Sequence, residues 1–267
     1  MEFIEVFLMP SAWLALLTLA FLEIVLGIDN IVFLSIVTSK LPDKQQPKAR
    51  RTGLILAMFF RIALLFGISL LIKLTEPIFH LNFSWLTGNI SGQTIIILFG
   101  GIFLLYKSVS EIHHKLEGDE EVIQLSGGKN RFIMTIVQIV ALDIVFSFDS
   151  VLTAVGLVSF NDFGYAGAMC IMILAVVVAI VIMLAFAEPV SRFVNTHPSI
   201  QMLGLAFLIL IGVMLITEAA HVSHLIVFDS EVGAIPKGYL YFAIFFSLFV
   251  EFINLKLAKK KRLHGKN

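Results

Sequence analysis

LEIVLGIDNIVF (22–33) and LDIVFSFDSVLT (142–153) decide how this chain is read. Each is an apolar run interrupted by two acids six residues apart. Laid over one another, Glu23 meets Asp143, Asp29 meets Asp149 and Asn30 meets Ser150. The match extends outward. A Glu-Pro pair follows each stretch downstream (Glu76-Pro77 and Glu188-Pro189), then a central glycine (Gly101 and Gly212) ahead of a run ending in His113 or His224. The offsets are 120, 112 and 111, so the order is kept with modest loop changes.

The surroundings of these stretches define the solvent. Of 267 residues, 58% are hydrophobic and only 14% charged, and the mean hydropathy is +0.96. A soluble domain carries about a quarter charged residues and could not bury this much apolar surface in one core. The composition excludes a soluble enzyme, a nucleic-acid binder and a disordered chain. Nineteen basic and nineteen acidic residues cancel, so net charge names no partner. The single cysteine, Cys170, excludes a disulfide framework or a Cys-based zinc site. The first residues, MEFIEVFLMP, hold two acids and no base, unlike the start of a signal peptide. An all-α polytopic membrane protein is expected, with the lipid bilayer as its main partner.

A span needs about 20 mostly apolar residues. Seven segments qualify: 11–37, 52–73, 93–109, 132–159, 163–187, 200–217 and 239–255, the third and sixth being short. Sixteen of the nineteen Lys and Arg fall in alternate loops and the tail, and Lys73, Lys237 and the intramembrane Arg61 make up the rest. Basic loops stay in the cytoplasm, which puts the N-terminus outside and the C-terminus inside. The tail run Lys259–Arg262 reads as part of that topology signal.

Three spans separate each matched pair, and three is odd, so the two halves enter the membrane with opposite orientation. The expected organisation is a single transmembrane domain. Repeat one covers about 11–114, repeat two about 132–224, the extra helix 239–255 and a basic cytoplasmic tail 256–267. Inverted repeats of this kind place a substrate site near the bilayer midplane at the repeat interface. The sequence leaves open whether the seventh span packs on the repeats or makes a homodimer.

An ionised carboxylate near the bilayer centre costs at least ~2.5–3.5 kcal/mol, so an intramembrane acid marks a functional site by default. Four acids against Arg61 leave a formal deficit of three charges, which a bound cation or protons would neutralise. Six residues rotate a helix to about 120° off the starting face. Glu23, Gly27 and Asn30 share one face, as do Asp143, Ser147 and Ser150. For both acids of a pair to meet one ion, each helix is expected to break, at Gly27 and at Ser147. Carboxylates, the Asn30 amide, the Ser150 hydroxyl and freed carbonyls form an all-oxygen set suited to a hard divalent cation. The structural alternative is that protonated acids bond between helices, with Arg61 pairing one of them. Arg61 itself repels cations and reads as a counter-charge. Glu76 and Glu188 are expected at helix ends, His113, His114, His221 and His224 at the membrane surfaces, and Glu218 just past span six.

The two acid stretches closely resemble the signature stretches of the TerC family of bacterial membrane proteins, and within it the YgdQ/YoaE-type members. KARRTGL (48–54) and GGIFLLYKSVSEIH (100–113) fit as well, so the resemblance covers nearly the whole chain. It implies a LysE-type transporter fold in the bacterial inner membrane and Mn²⁺ export from the cytoplasm. It also implies Glu23, Asp29, Asn30, Asp143, Asp149 and Ser150 as metal-binding positions. No tightly bound cofactor is implied, the cation being cargo, and the C-terminal regulatory domains of larger relatives are expected to be absent. Two other readings compete: a membrane chaperone or assembly factor, and an intramembrane aspartyl hydrolase, for which the chain lacks GxGD. It also lacks GxxxxGK[ST], so transport would draw on an ion gradient, the membrane potential or a partner.

Overall fold

The computed structural model describes residues 6–117 and 128–264, without the side chains of 28, 29, 128, 129, 149 and 258–264. In chain order the helices are α1 (Pro10–Thr38), α2 (Gln46–Phe66), α3 (Ile68–Thr75), α4 (Gly92–Glu117), α5 (Gly128–Leu157), α6 (Phe160–Thr196), α7 (Pro198–Val222) and α8 (Lys237–His264). Proline opens α1, α2 and α7, where its missing N–H costs nothing. The Ser159 hydroxyl caps α6 by accepting from the Asp162 N–H at 3.3 Å. Among the described residues six helices are long and apolar enough to cross a membrane. The pair α2 and α3, bent by 75° at Gly67, forms a seventh span if it is counted as one.

The expected spans are found, with corrections at their ends. The third and sixth are full-length, 26 and 25 residues in α4 and α7, because the less apolar ends of each run still continue the helix. Glu76 does end a helix, at the C-cap of α3. Glu188-Pro189 does not: Pro189 lies inside α6, which runs on to Thr196. Proline removes one backbone bond, but the turn beyond it is held by buried Ser191 and Val194. Glu218 lies within α7 rather than past it. The tail from 256 continues α8 as helix to His264, and 265–267 lie outside the described residues. Near its start α6 is interrupted at Gly164, whose φ of 66° and ψ of 167° suit only glycine.

Two connections hold structure that the search for apolar spans passed over. Strands β1 (Pro77–Phe83) and β2 (Leu86–Ser91) form a hairpin, and β3 (Ile226–Val227) and β4 (Ser230–Glu231) form another. They join as one antiparallel sheet through Leu86 opposite Val227 and Thr87 opposite Ile226. The tight β3–β4 turn sets Phe228 and Asp229 at positive φ, as a two-residue hairpin turn requires. Trp85 and Phe228 pack 6.0 Å apart across the sheet. Alternation was available as a signal, with His80 and Asn82 interleaving Phe79, Leu81 and Phe83.

Packing sorts the helices into pairs. The most extensive contacts are α1 on α6 and α4 on α7, followed by α2 on α5 and α2 on α6. α1 also meets α5 and α7, while α8 packs on α7. One large apolar core joins α1, α2, α3, α5 and α6 through residues such as Leu19, Leu65, Phe148, Met172 and Met183. A second centres on α7, with Phe33, Leu104, Leu142 and Leu240 against it.

Candidate functional site

The polar residues of the membrane interior collect where α1, α2 and α5 meet. Glu23 and Asp143 both sit near the middle of helices of 29 and 30 residues, some 20 Å from either end at 1.5 Å per residue. Arg61 of α2 lies between them. All three are buried, at 2%, 6% and 2% exposure. The Arg61 guanidinium donates to Asp143 through Nε (3.1 Å) and Nη2 (2.6 Å), a bidentate fork, and through Nη1 to Glu23 Oε2. Asn30 Nδ2 donates to Asp143 Oδ1 at 3.3 Å, and Ser147 Oγ to Asp143 Oδ2 at 3.1 Å. Among the described residues Asp143 therefore accepts four hydrogen bonds and Glu23 one.

This geometry brings together Glu23, Asn30 and Asp143 of the expected site. Ser150 is buried close by, but its hydroxyl donates to the Ser147 carbonyl of its own helix at 3.3 Å. The side chains of Asp29 and Asp149 lie outside the described residues. Among the described residues no group of three or more His, Cys, Asp and Glu is arranged to hold a metal ion.

The expected helix breaks are absent: α1 is helical through Gly27 and α5 through Ser147. Gly27 serves close packing instead, since a Cβ there would collide with the Met183 sulfur of α6. Ser147 turns its hydroxyl to Asp143 rather than to its own backbone, so it braces the acid. Chain breaks occur at Gly67 and Gly164, away from the acids.

Arg61 is the residue whose weight the sequence reading set too low. It pairs both acids, one from each half of the chain, not one. A lone base at midspan depth among four acids was the available signal. Glu218 is a further addition. With Asn30, Val145, Phe146, Met214 and Tyr241 it lines a cavity of about 80 Å³ that adjoins the cluster. The histidines stay peripheral: His113 lies 3.1 Å from Glu117, and His224 3.5 Å from Glu231.

These features define a polytopic helical membrane protein with a buried ionic cluster shared by both halves of its sequence. The chain belongs to the integral membrane protein TerC family, which it matches over residues 8–263. It is 47% identical over 254 residues to the UPF0053 inner membrane protein YgdQ of Escherichia coli K12, covering 95% of this chain and 97% of that one. A UPF0053 protein of Haemophilus influenzae is 42% identical over 250 residues, 94% and 96% of the two chains. The match to the inner membrane protein YoaE of Escherichia coli K12 is 45% over 246 residues, 92% of this chain but 43% of the relative. No solved structure matches the chain. With its six or seven candidate spans, the chain is a multi-pass inner membrane protein.

Proposed function

We propose that the chain carries a divalent metal cation, Mn²⁺, out of the cytoplasm by alternating access. The observation behind this is that acids from equivalent sequence positions, Glu23 and Asp143, meet on one arginine in the membrane interior. The packing order supports a 3+3 inverted repeat. Exchanging the halves turns the α1–α6 pair into α5–α2, and leaves α4–α7 as itself. Sites of inverted-repeat transporters lie at such an interface.

In the arrangement described, Arg61 stands where a cation would. Its guanidinium offsets one of the two acids' charges and donates to Glu23 Oε2 and to both oxygens of Asp143, which lets an empty site remain buried. A divalent ion takes its place by offering two charges to the same oxygens. Arg61 then withdraws, and the Asn30 amide rotates to present oxygen instead of nitrogen. Ser150 releases the Ser147 carbonyl to face the ion, and Asp29 and Asp149 add carboxylates. The resulting set is all oxygen, as Mn²⁺, Mg²⁺ and Ca²⁺ accept. The cavity between Asn30 and Glu218 is also lined by Lys237 at the start of α8, on the side that the basic-residue count makes external. It supports release in that direction. A hydrolase dyad needs two acids sharing a proton. Both acids here bond to an arginine, which supports handling of ions over bond cleavage.

The test is Mn²⁺ uptake into proteoliposomes under imposed pH and voltage gradients. Flux is expected above protein-free vesicles, and at least about tenfold lower for Asp29→Asn or Asp149→Asn, a loss of about 1.4 kcal/mol or more. Competition by Mg²⁺, Ca²⁺ and Zn²⁺ then ranks the ions. No flux under either gradient, together with no Mn²⁺ binding in detergent, would sink the proposal.

A further inference from the structure

The geometry points to a binding site for an anionic phospholipid headgroup in the cleft between the first turns of α2 and the last turns of α6. The cleft holds about 770 Å³, within the range of small-ligand pockets. Arg50 and Arg51 line it from α2, and Glu188 and Arg192 from α6. Arg50 is buried, at 6% exposure, yet its hydrogen bond is to a neutral group, Ser191 Oγ at 3.1 Å. Glu188 approaches Arg192 at 3.5 Å. No carboxylate among the described residues forms an ion pair with Arg50 or Arg51. Three guanidiniums against one carboxylate leave a formal excess of two positive charges. Glu188 attracts Arg50 through space without an ion-pair contact, but one carboxylate cannot balance three guanidiniums. Under-compensated buried charge is costly, and the guanidinium fork matches a phosphate.

Place and wall chemistry favour a lipid as the bearer of that phosphate. Beyond the break at Gly164, α6 runs on to Thr196, about 48 Å at 1.5 Å per residue, and the hydrocarbon core spans only about 30 Å. The turns beyond Pro189 thus reach headgroup level, on the side that the basic-residue count assigns to the cytoplasm. Leu184, Ala185, Ala187 and exposed Phe193 complete the lining, an apolar wall for a glycerol backbone and the first methylenes. Basic pockets between membrane helices on that side suit anionic headgroups. The site stands apart from the acid cluster and does not rest on the transport proposal.

The experiment is native mass spectrometry of the detergent-purified full chain, titrated with phosphatidylglycerol or phosphatidylcholine of matched acyl chains. Phosphatidylglycerol is expected to bind at least about tenfold more tightly. Arg51→Gln/Arg192→Gln changes two exposed side chains and leaves buried Arg50 in place. It should weaken phosphatidylglycerol roughly thirtyfold, at about 1 kcal/mol per charge, and leave phosphatidylcholine unmoved. Glu188→Gln should strengthen phosphatidylglycerol several-fold, a gain that lost packing would not produce. Equal binding of both lipids by the unmodified chain would overturn the proposal, as would an unchanged double variant with an intact melting transition. Inorganic phosphate that binds as tightly as phosphatidylglycerol and displaces it would overturn the lipid as the source.

Discussion

Arg61→Gln should lower the melting temperature of the detergent-purified protein by on the order of 10 °C. Arg61 is 2% exposed and bonded to Glu23 and to both oxygens of Asp143. Removing one partner of a buried ionic group costs about 3–5 kcal/mol, because the remaining charges stay behind without compensation. At about 2–4 °C per kcal/mol for a chain of this size class, that gives the stated drop. Arg61→Lys should recover only part of it, since an ammonium cannot reproduce the fork. Adding Glu23→Gln and Asp143→Asn to Arg61→Gln should restore most of the loss by removing the stranded charge. The acids should differ when changed singly: from the described residues Asp143 accepts four hydrogen bonds and Glu23 one, so Asp143→Asn should melt lower than Glu23→Gln. Metal addition separates structure from cargo handling. If Arg61 and the ion compete for the same oxygens, Mn²⁺ should raise the melting point of Arg61→Gln more than that of the unmodified chain. Melting of Arg61→Gln within a degree or two of the unmodified chain would show that the triad does not hold α1, α2 and α5 together.

The same cluster shows where sequence reasoning reaches and where it stops. Apolar runs locate helices because the bilayer demands about 20 such residues whatever their partners. Each of the seven runs falls on a helix or on the bent α2–α3 pair, with 132–159 overrunning its helix by two residues. Acids stand out in those runs because their cost there is high. Rotational arithmetic from Glu23 to Asp29 and from Asp143 to Asp149 demanded broken helices, since it assumed that all four acids face one ion. Among the described residues Arg61 draws in Glu23 and Asp143, and both helices remain whole. Which residue an arginine reaches depends on how α2 crosses α1 and α5, and no one-dimensional pattern carries that. The two functions of glycine were likewise hidden: Gly27 admits Met183, whereas the bends fall at Gly67 and Gly164. Pro189 misled for a related reason. A proline signals a helix end by its local chemistry, and packing around Ser191 overrides that signal. The small sheet went unread because β1 and β2 lie between apolar spans and were met as a loop, while β3 and β4 have only two residues each.

Gly101→Ala and Gly212→Ala should each loosen the contact between α4 and α7, and each alone should do most of the damage. The two glycines face one another across that contact. A Cβ at Gly101 would lie 2.9 Å from the Gly212 carbonyl oxygen, and one at Gly212 would lie 3.0 Å from the Gly101 carbonyl oxygen. The obstacle is backbone in both directions, so no rotamer change relieves it and the helices must move apart. Small residues at such crossings let membrane helices approach closely, where dispersion contacts replace the hydrophobic drive that lipid removes. An added methyl in a tight contact costs about 1–3 kcal/mol, or several degrees in melting temperature. Once one substitution has parted the helices, the second meets open space, so the double variant should lose clearly less than the sum of the singles. Gly156→Ala is the control, because beyond its own helical turn no atom lies within 4 Å of a Cβ there, and its melting point should not fall. The contact is also one that exchanging the halves leaves in place. If one half rocks against the other during transport, this crossing lies between them, and Mn²⁺ flux should fall with its opening even at temperatures where both variants are fully folded. Additive losses in the double variant, or flux unaffected by either alanine, would mean that α4 and α7 do not act as a close-packed seam.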